Sequence, residues 1–99
     1  MILVKIHKSY RDIVAICDSE LLGKKFEEDK LQLDLTTQFF RGEEKTEEEA
    51  FDIINEMATE DATFNIIGEK SIALALKAEI ITEEGIKKVQ GIPFTLVLM

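Results

Sequence analysis

A chain of 99 residues, 45% of them apolar and 32% charged, predicts a single globular domain over residues 1–99 whose core needs no disulfide or metal. No apolar run approaches the roughly 20 residues of a membrane helix, and residues 1–8 lack the basic leader and cleavage site of a signal peptide. The single cysteine excludes internal disulfides and multi-cysteine zinc sites, so we expect a cytoplasmic protein without a cofactor.

The net charge of −8 is concentrated in residues 41–61, which carry nine acidic and two basic side chains. Such a charge run is usually a solvated helix face, and an acidic surface also suits a protein partner with a basic surface. Nucleic-acid binding needs a cationic surface and is therefore disfavoured, although Lys5, Lys8 and Arg11 could form a local patch.

The N-terminal residues predict two strands joined by a short turn. Apolar residues alternate with other residues over residues 2–7, and the polar segment 9–12 suits a hairpin turn. The apolar run from Ile13 to Cys17 predicts a strand that is buried on both faces. We expect these two strands to pair antiparallel as a hairpin.

Polar residues follow the buried strand at once, and they fit a short helix over residues 19–22. The Asp18 carboxylate would accept a backbone N–H at its start, with Glu20 in the favourable first turn. Gly23 would adopt the left-handed conformation at its end, next to Lys24. Local capping is the usual role of such residues, and a ligand-binding role is the alternative.

Cys17 is a candidate nucleophile at the same junction. A reactive thiol requires a nearby cation, helix N-terminus or histidine. A helix that starts at Asp18 would place Cys17 near its positive end, but the carboxylates of Asp18 and Glu20 oppose thiolate formation. His7 could face Cys17 only in some strand registers. The last residue of a buried strand is more often an inert apolar group.

The middle of the chain predicts an exposed loop over residues 27–30 and a third strand, Leu31–Leu35, with one face in water. Phe39 and Phe40 are adjacent, so on a strand only one of them can face inward. The other would cover an edge or contact a partner.

Residues 47–58 predict a helix with well-defined signals. Thr46 and Glu49 form a capping box, and apolar residues then recur on one stripe. Phe51 and Met57 on that stripe are predicted core residues.

The next segment has two interpretations, and the pattern leaves both open. In the first, Asn65 caps a helix over residues 66–78. Gly68 then lies in its first turn at a cost of about 1 kcal/mol, which a close backbone approach would explain. In the second, residues 63–67 form a strand and the helix begins after Gly68.

The C-terminal segment predicts a short helix over residues 82–88 and a strand from Phe94 to Met99 that follows Pro93. An apolar terminal strand must be covered by its own sheet or by another chain. A homodimer through this strand is therefore an alternative.

No catalytic motif is present. Residues 68–71 end like a phosphate-binding loop, but a glutamate intrudes and the upstream glycine is missing. Four carboxylates could gather at one end of the sheet and hold Mg²⁺ or Ca²⁺, although their spacing does not demand it. They are those of Asp18, Glu20, Glu43 and Glu69.

Four blocks of sequence resemble a known family. They are Ala-x-Cys-Asp-x-Glu-Leu-Leu-Gly-Lys at 15–24, Phe-Phe-x-Gly-Glu at 39–43, Asn-Ile-Ile-Gly-Glu at 65–69 and Gly-Ile-Pro at 91–93. The chain is similar to small archaeal proteins of comparable length that form a conserved domain of unknown function. This resemblance implies an archaeal, cytoplasmic, single-domain protein and no established activity, cofactor or catalytic residue. The family pattern continues after the proline with His-Ala-Gln, whereas Phe94-Thr95-Leu96 follows Pro93 here, so any site that relied on that imidazole is absent.

The order of elements predicts an α+β fold, with two main helices packed on a mostly antiparallel sheet. The sheet would contain the N-terminal hairpin, the Leu31–Leu35 strand and the C-terminal strand.

For function, we expect a non-catalytic protein-interaction module, because of the acidic helix, the paired phenylalanines and the terminal strand. One alternative is a small metal-binding protein or enzyme that uses carboxylates near Asp18. Another is an RNA- or translation-associated protein that uses Lys5, Lys8, Arg11, Lys24 and Lys25. The candidate binding residues are Cys17, Asp18, Glu20, Gly23, Lys24, Glu43, Asn65, Gly68 and Glu69.

Overall fold

The computed structural model describes residues 1–98, which form a six-stranded mixed sheet, a separate two-stranded sheet and two α-helices. The predicted α+β class and mostly antiparallel sheet are confirmed, except that one strand pair is parallel. None of the helices in this range is long and apolar enough to cross a membrane.

The helices are α1 (Glu47–Thr59) and α2 (Glu69–Lys77). The strands are β1 (Ile2–His7), β2 (Ile13–Asp18), β3 (Lys25–Glu28), β4 (Leu31–Asp34), β5 (Glu43–Lys45), β6 (Thr63–Ile67), β7 (Lys87–Val89) and β8 (Ile92–Val97). Single-turn 3-10 helices lie at Ser19–Leu21, Gln38–Phe40 and Glu83–Gly85.

The six-stranded sheet has the order β5-β1-β2-β6-β8-β7. β1 pairs antiparallel with β2, with Leu3 opposite Cys17. β2 pairs with β6 in the one parallel contact among the described strands, with Cys17 opposite Ile67. Parallel neighbours end at the same edge of a sheet. Asp18 at the end of β2 and the start of α2 after β6 therefore lie side by side.

Both faces of the sheet are at least partly covered, which explains why β2 is apolar on both sides. α1 and α2 pack on one face, called the helix face, where Val14 and Ile16 are fully buried. The small sheet of β3 and β4 and the 3-10 helix Gln38–Phe40 pack on the other face, called the hairpin face, over Ala15 and Cys17. Burial of both rows of side chains stabilises β2 through the hydrophobic effect.

α1 begins at a capping box, as the sequence predicts. The Thr46 hydroxyl accepts a hydrogen bond from the Glu49 N–H (3.1 Å), and the Glu49 carboxylate accepts one from the Thr46 N–H (2.9 Å). Hydrogen bonding of the Glu49 carboxylate to the backbone N–H of Thr46, and then to its side chain, holds the pKa of Glu49 below its usual value. Met57 is buried, whereas Phe51 is half-buried, with the Lys77 ammonium group 4.8 Å from its ring centre.

The prediction that Leu31–Leu35 joins the main sheet is wrong. β4 pairs antiparallel with β3 in the separate sheet, and the segment predicted as a loop forms the end of β3 and the turn at Asp29 and Lys30. Phe26 and Leu33 lie opposite each other and contact the core of the hairpin face. The hairpin thus buries one apolar row while its glutamates stay in solvent, and this pattern is easily taken for a loop.

The strand interpretation of residues 63–67 is confirmed, and the helix interpretation is wrong. These residues form β6, so Asn65 lies in the middle of a strand and not at a helix cap. Gly68 is the N-cap of α2. Pairing decides between the two interpretations, because β2 and β8 satisfy the backbone groups of this segment from both sides.

The predicted helix over residues 82–88 is also wrong, because the segment contains one 3-10 turn and then β7. A two-residue turn at Gln90 and Gly91, both with positive φ, joins β7 to β8. β8 already includes Pro93 and lies between β6 and β7. The predicted end of this strand at Met99 lies outside the described residues.

We expect Thr46→Ala to lower the free energy of unfolding by about 1 kcal/mol, because the α1 N–H that it caps loses its acceptor. Thr82→Ala is the matched control, since Thr82 precedes the 3-10 helix Glu83–Gly85 without a side-chain cap hydrogen bond. Urea unfolding followed by circular dichroism measures both variants. Equal losses of stability would contradict a capping role for Thr46.

Candidate functional site

The buried carboxylate of Asp18 binds the N-terminus of α2. Oδ1 accepts hydrogen bonds from the Ser71 N–H (2.8 Å) and the Ser71 hydroxyl (2.7 Å), and Oδ2 accepts one from the Lys70 N–H (3.1 Å). Asp18 is only 4% exposed, and Ser71 is fully buried. The carboxylate also lies at the positive end of the helix dipole, where a negative charge is favourable.

The prediction that Asp18 caps the helix directly after it is therefore wrong. Ser19–Leu21 forms a 3-10 helix without a side-chain cap hydrogen bond. The parallel pairing of β2 and β6 places the free N–H groups of α2 beside Asp18. An α-helix leaves its first four N–H groups without an intrahelical partner, so the longer helix is the better match for the carboxylate.

Gly68 is required where β6 leads into α2. Its φ of 115° lies in the region that favours glycine, and a Cβ there would lie 2.4 Å from Cγ of Asp18. Its N–H donates to the Pro93 carbonyl oxygen (2.9 Å). The close approach of α2 to Asp18 thus depends on the absence of a side chain at this position.

Four predicted site residues line one cavity of about 290 Å³ at this end of the sheet: Asp18, Glu20, Gly68 and Glu69. Three donors already occupy the Asp18 carboxylate, and the two glutamates are exposed. Within residues 1–98, no group of three or more His, Cys, Asp or Glu side chains is placed to hold a metal ion. The Asp18 carboxylate in this cavity therefore acts as a helix cap.

The other predicted binding residues lie elsewhere. Gly23, with a φ of 85°, and Lys24 form backbone hydrogen bonds with the residue after β4, which hold the small sheet to the turn after β2. Glu43 lies on β5, which β1 separates from β2. Asn65 faces a cavity on the hairpin face, whereas Asp18 contacts the helix on the opposite face.

Cys17 belongs to the core of the hairpin face and is fully buried. Burial, followed by the nearby carboxylates of Asp18 and Glu20, raises the pKa of its thiol from 9.0 to about 12. The thiol is therefore protonated near neutral pH and is a poor nucleophile. His7 is not placed to act as its base, because the strand partner of His7 is Ile13, at the other end of β2.

The basic residues considered for RNA binding are divided between the two ends of β2. Lys8 and Arg11 belong to the segment before β2, whereas Lys24 and Lys25 follow it. Lys5 lies within β1. Lys8 and Lys25 each form an ion pair with a nearby carboxylate. These residues do not form one continuous patch.

The terminal strand was predicted to need a cover, and the structure shows which of its side chains are exposed. Leu96 is 56% exposed and Leu98 is 74% exposed. β7 pairs with β8 only as far as Phe94, so the outer side of β8 has no strand partner beyond that residue within the described chain. The sequence does indicate that this segment is apolar on both faces. Phe94, Leu96 and Leu98 belong to one face and Thr95 and Val97 to the other, and both sets are largely apolar.

We expect Asp18→Asn to lower the free energy of unfolding by about 2 kcal/mol, because one acceptor atom becomes a donor that faces the N–H groups of α2. Glu20→Gln is the matched control, since Glu20 lines the same cavity from an exposed position. Urea unfolding at neutral pH measures both. A cap at Asp18 would be contradicted if the two substitutions had the same effect.

Stability should decrease as the pH rises from about 9 towards 12, because the Cys17 thiol ionises in the unfolded chain but stays protonated in the folded protein. The unfolded state then binds fewer protons, so alkali favours it. Cys17→Ala removes this contribution. We therefore expect the urea midpoint of the wild type to fall more steeply over this range than that of the variant. Parallel curves would show that burial does not raise the thiol pKa.

A protein of known structure shares this fold. The family described as protein of unknown function (DUF424) matches residues 7–99, which confirms the predicted resemblance to a domain of unknown function. The crystal structure of an uncharacterized conserved protein from Methanopyrus kandleri has a TM-score of 0.85 and 22% sequence identity, over 99% of this chain and 93% of that chain. No curated protein shows a significant match. The chain therefore belongs to the DUF424 family of proteins of unknown function.

Proposed function

We propose that this protein is a non-catalytic protein-interaction module that acts as a single domain. The observation that carries the proposal is the exposed pair of Leu96 on β8 and Leu98 just after its end, called the β8 ridge. These side chains are 56% and 74% exposed. Adjacent large apolar side chains at an open strand edge are typical of a surface that another chain covers.

The β8 ridge lies between two cavities. The first, of about 370 Å³, opens on the hairpin face between β8 and the small sheet. The second, of about 330 Å³, lies on the outer side of β8 against residues 79–85. Leu96 lines both cavities. An extended partner segment on the ridge would bury apolar surface on both sides and could reach the unpaired edge of β8.

Charge indicates which partner suits the β8 ridge. Glu79 lines the second cavity, neither cavity has a basic lining residue, and the whole chain carries a net charge of −8. An extended segment with both apolar and basic residues is therefore complementary. A second copy of this chain would bring like charges together, so a homodimer is the less favoured occupant.

The two alternative functions have less support. A metal-binding protein or carboxylate enzyme needs free ligands near Asp18, whose carboxylate already accepts three hydrogen bonds. An RNA-binding protein needs a continuous basic surface, whereas Lys8 and Lys24 lie beyond opposite ends of β2. The free, buried cysteine supports a reducing, cytoplasmic setting.

We expect a protein captured by the immobilised wild type from an archaeal lysate to bind the Leu96→Asp/Leu98→Asp variant at least about tenfold more weakly. The reason is that a central apolar anchor commonly contributes a large part of the binding energy. The captured protein is purified, and its Kd is measured by calorimetry at low and high salt. Binding should weaken with salt, since a basic segment meets an acidic surface.

Leu31→Asp is the matched control, because Leu31 is a 44% exposed leucine on β4 that lines neither cavity. It should leave the Kd unchanged, and thermal unfolding should show all variants folded. Equal binding by the ridge variant and the wild type would overturn the proposal. If the protein self-associates and the self-association depends on Leu96, the partner on the β8 ridge is a second copy of this chain and not a basic segment.

A further inference from the structure

The cavity of about 370 Å³ on the hairpin face has the size and composition of a binding pocket. Its floor is the surface of β6 and β8, and its walls are β4 and the 3-10 helix Gln38–Phe40. Aromatic and aliphatic side chains line most of it, and the polar groups are few. Pockets of roughly 300–1,000 Å³ with this composition commonly receive a side chain or a small ligand.

Asn65 is the polar group on the floor of this cavity. It lies in the middle of β6, between Ala15 on β2 and Leu96 on β8, at a position where asparagine is disfavoured. Its side chain forms no hydrogen bond with any residue from 1 to 98. Ser19 Oγ is the one fully buried side-chain polar atom without a partner in that range. The Asn65 carboxamide therefore reaches water in the cavity and is free to bind a ligand.

The aromatic wall is held in place before any ligand arrives. The ring of His7 stacks on Phe39 with 4.5 Å between centroids and 14° between planes, and His7 Nε2 donates to the Phe39 carbonyl oxygen (2.9 Å). Phe40 meets Phe39 edge-on at 5.1 Å and is buried in the core. A fixed wall lowers the entropy cost of binding.

We infer that this cavity is an anchor pocket for one aromatic or large aliphatic residue of the partner segment, with the Asn65 carboxamide hydrogen-bonded to the peptide groups of that residue. A carboxamide has both a donor and an acceptor, as has an extended peptide unit. The inference rests on the proposed function, and it names how the segment on the β8 ridge is held.

Asp34 at the wall of the cavity adds a charge preference. Hydrogen bonds from the Thr36 hydroxyl and N–H hold the pKa of its carboxyl below the usual value, so the group stays ionised. A basic residue next to the anchor in the partner segment would face this carboxylate. The preference agrees with the basic partner proposed from the lining of the second cavity.

Two probes of the same ring size test the pocket without knowledge of the partner. N-acetyl-L-phenylalanine N-methylamide carries the ring and two peptide groups, and toluene carries the ring alone. Each is titrated into the ¹⁵N-labelled protein and followed by NMR. We expect saturable shifts at Asn65, Ile67 and Leu96 with both probes, and tighter binding of the diamide. Absence of saturable shifts at these residues would overturn the inference.

Asn65→Leu should weaken the binding of the diamide about fivefold relative to the binding of toluene, because one hydrogen-bonding group is lost while the ring contacts remain. Asn65→Ala is the second variant. It should raise the ratio of the diamide Kd to the toluene Kd, as Asn65→Leu does, although it enlarges the cavity. Thermal unfolding verifies that both are folded. An unchanged ratio in the two variants would show that Asn65 does not bind the peptide groups.

The outcomes separate this inference from the proposed function. If the ridge variant loses its partner but the diamide does not bind at Asn65, the anchor pocket is wrong and the interaction module stands. If the diamide binds and depends on Asn65 but no captured protein depends on the β8 ridge, the interaction module is wrong and the pocket serves a smaller ligand.

Discussion

The carboxylate of Asp18 connects the centre of the sheet to the helix that covers it. Ser71 and Lys70 donate to it from the first turn of α2, which follows β6 in the chain. Because these hydrogen bonds join β2 to a helix more than fifty residues later, they add a long-range contact to the only parallel strand pair of residues 1–98. The missing side chain at Gly68 lets the helix come close enough for this contact.

This cap also limits what the helix end can do. In α/β proteins, the N-terminus of a helix after a parallel strand is a common binding place for phosphates and other anions. Here the Asp18 carboxylate fills that position from within the chain, and a Cβ at position 68 would collide with it. The groups that remain free lie on the opposite face of the sheet, where Leu96 and Asn65 border the same cavity.

Local signals in the sequence predicted local structure well. The capping box at Thr46 and Glu49 marked the start of α1, apolar alternation marked β1, and a continuous apolar run marked the buried strand β2. The incorrect predictions concern which strands pair with one another. Residues 63–67 became a strand because β2 and β8 pair with them, and β4 left the main sheet because β3 pairs with it. Neither choice is visible in a short window of sequence.

In the candidate site too, local signals identified residues, whereas their contacts depend on long-range pairing. Asp18 and Gly68 were singled out because a polar residue after a buried run and a glycine within an apolar run are unusual. Their contact depends on strand order, which the sequence does not reveal. Ser71 is the third residue of the cap. The one feature of the sequence that points to it is a hydroxyl side chain at the start of an apolar helix. The terminal strand was predicted to need a cover, but which of its leucines stay exposed depends on where the small sheet ends, and the sequence does not reveal this.

β8 has different surroundings along its length. Ile92 and Pro93 pair with β7, Phe94 pairs with both β7 and β6, and from Thr95 onward only β6 pairs with β8 among the described residues. Successive N–H groups of a strand point to opposite sides, so protection from hydrogen exchange should alternate there from residue to residue. Amides directed at β6 open only with the core, and those directed outward exchange from the native state. One strand is therefore both a rigid part of the core and, at its far end, a ready acceptor for a further strand.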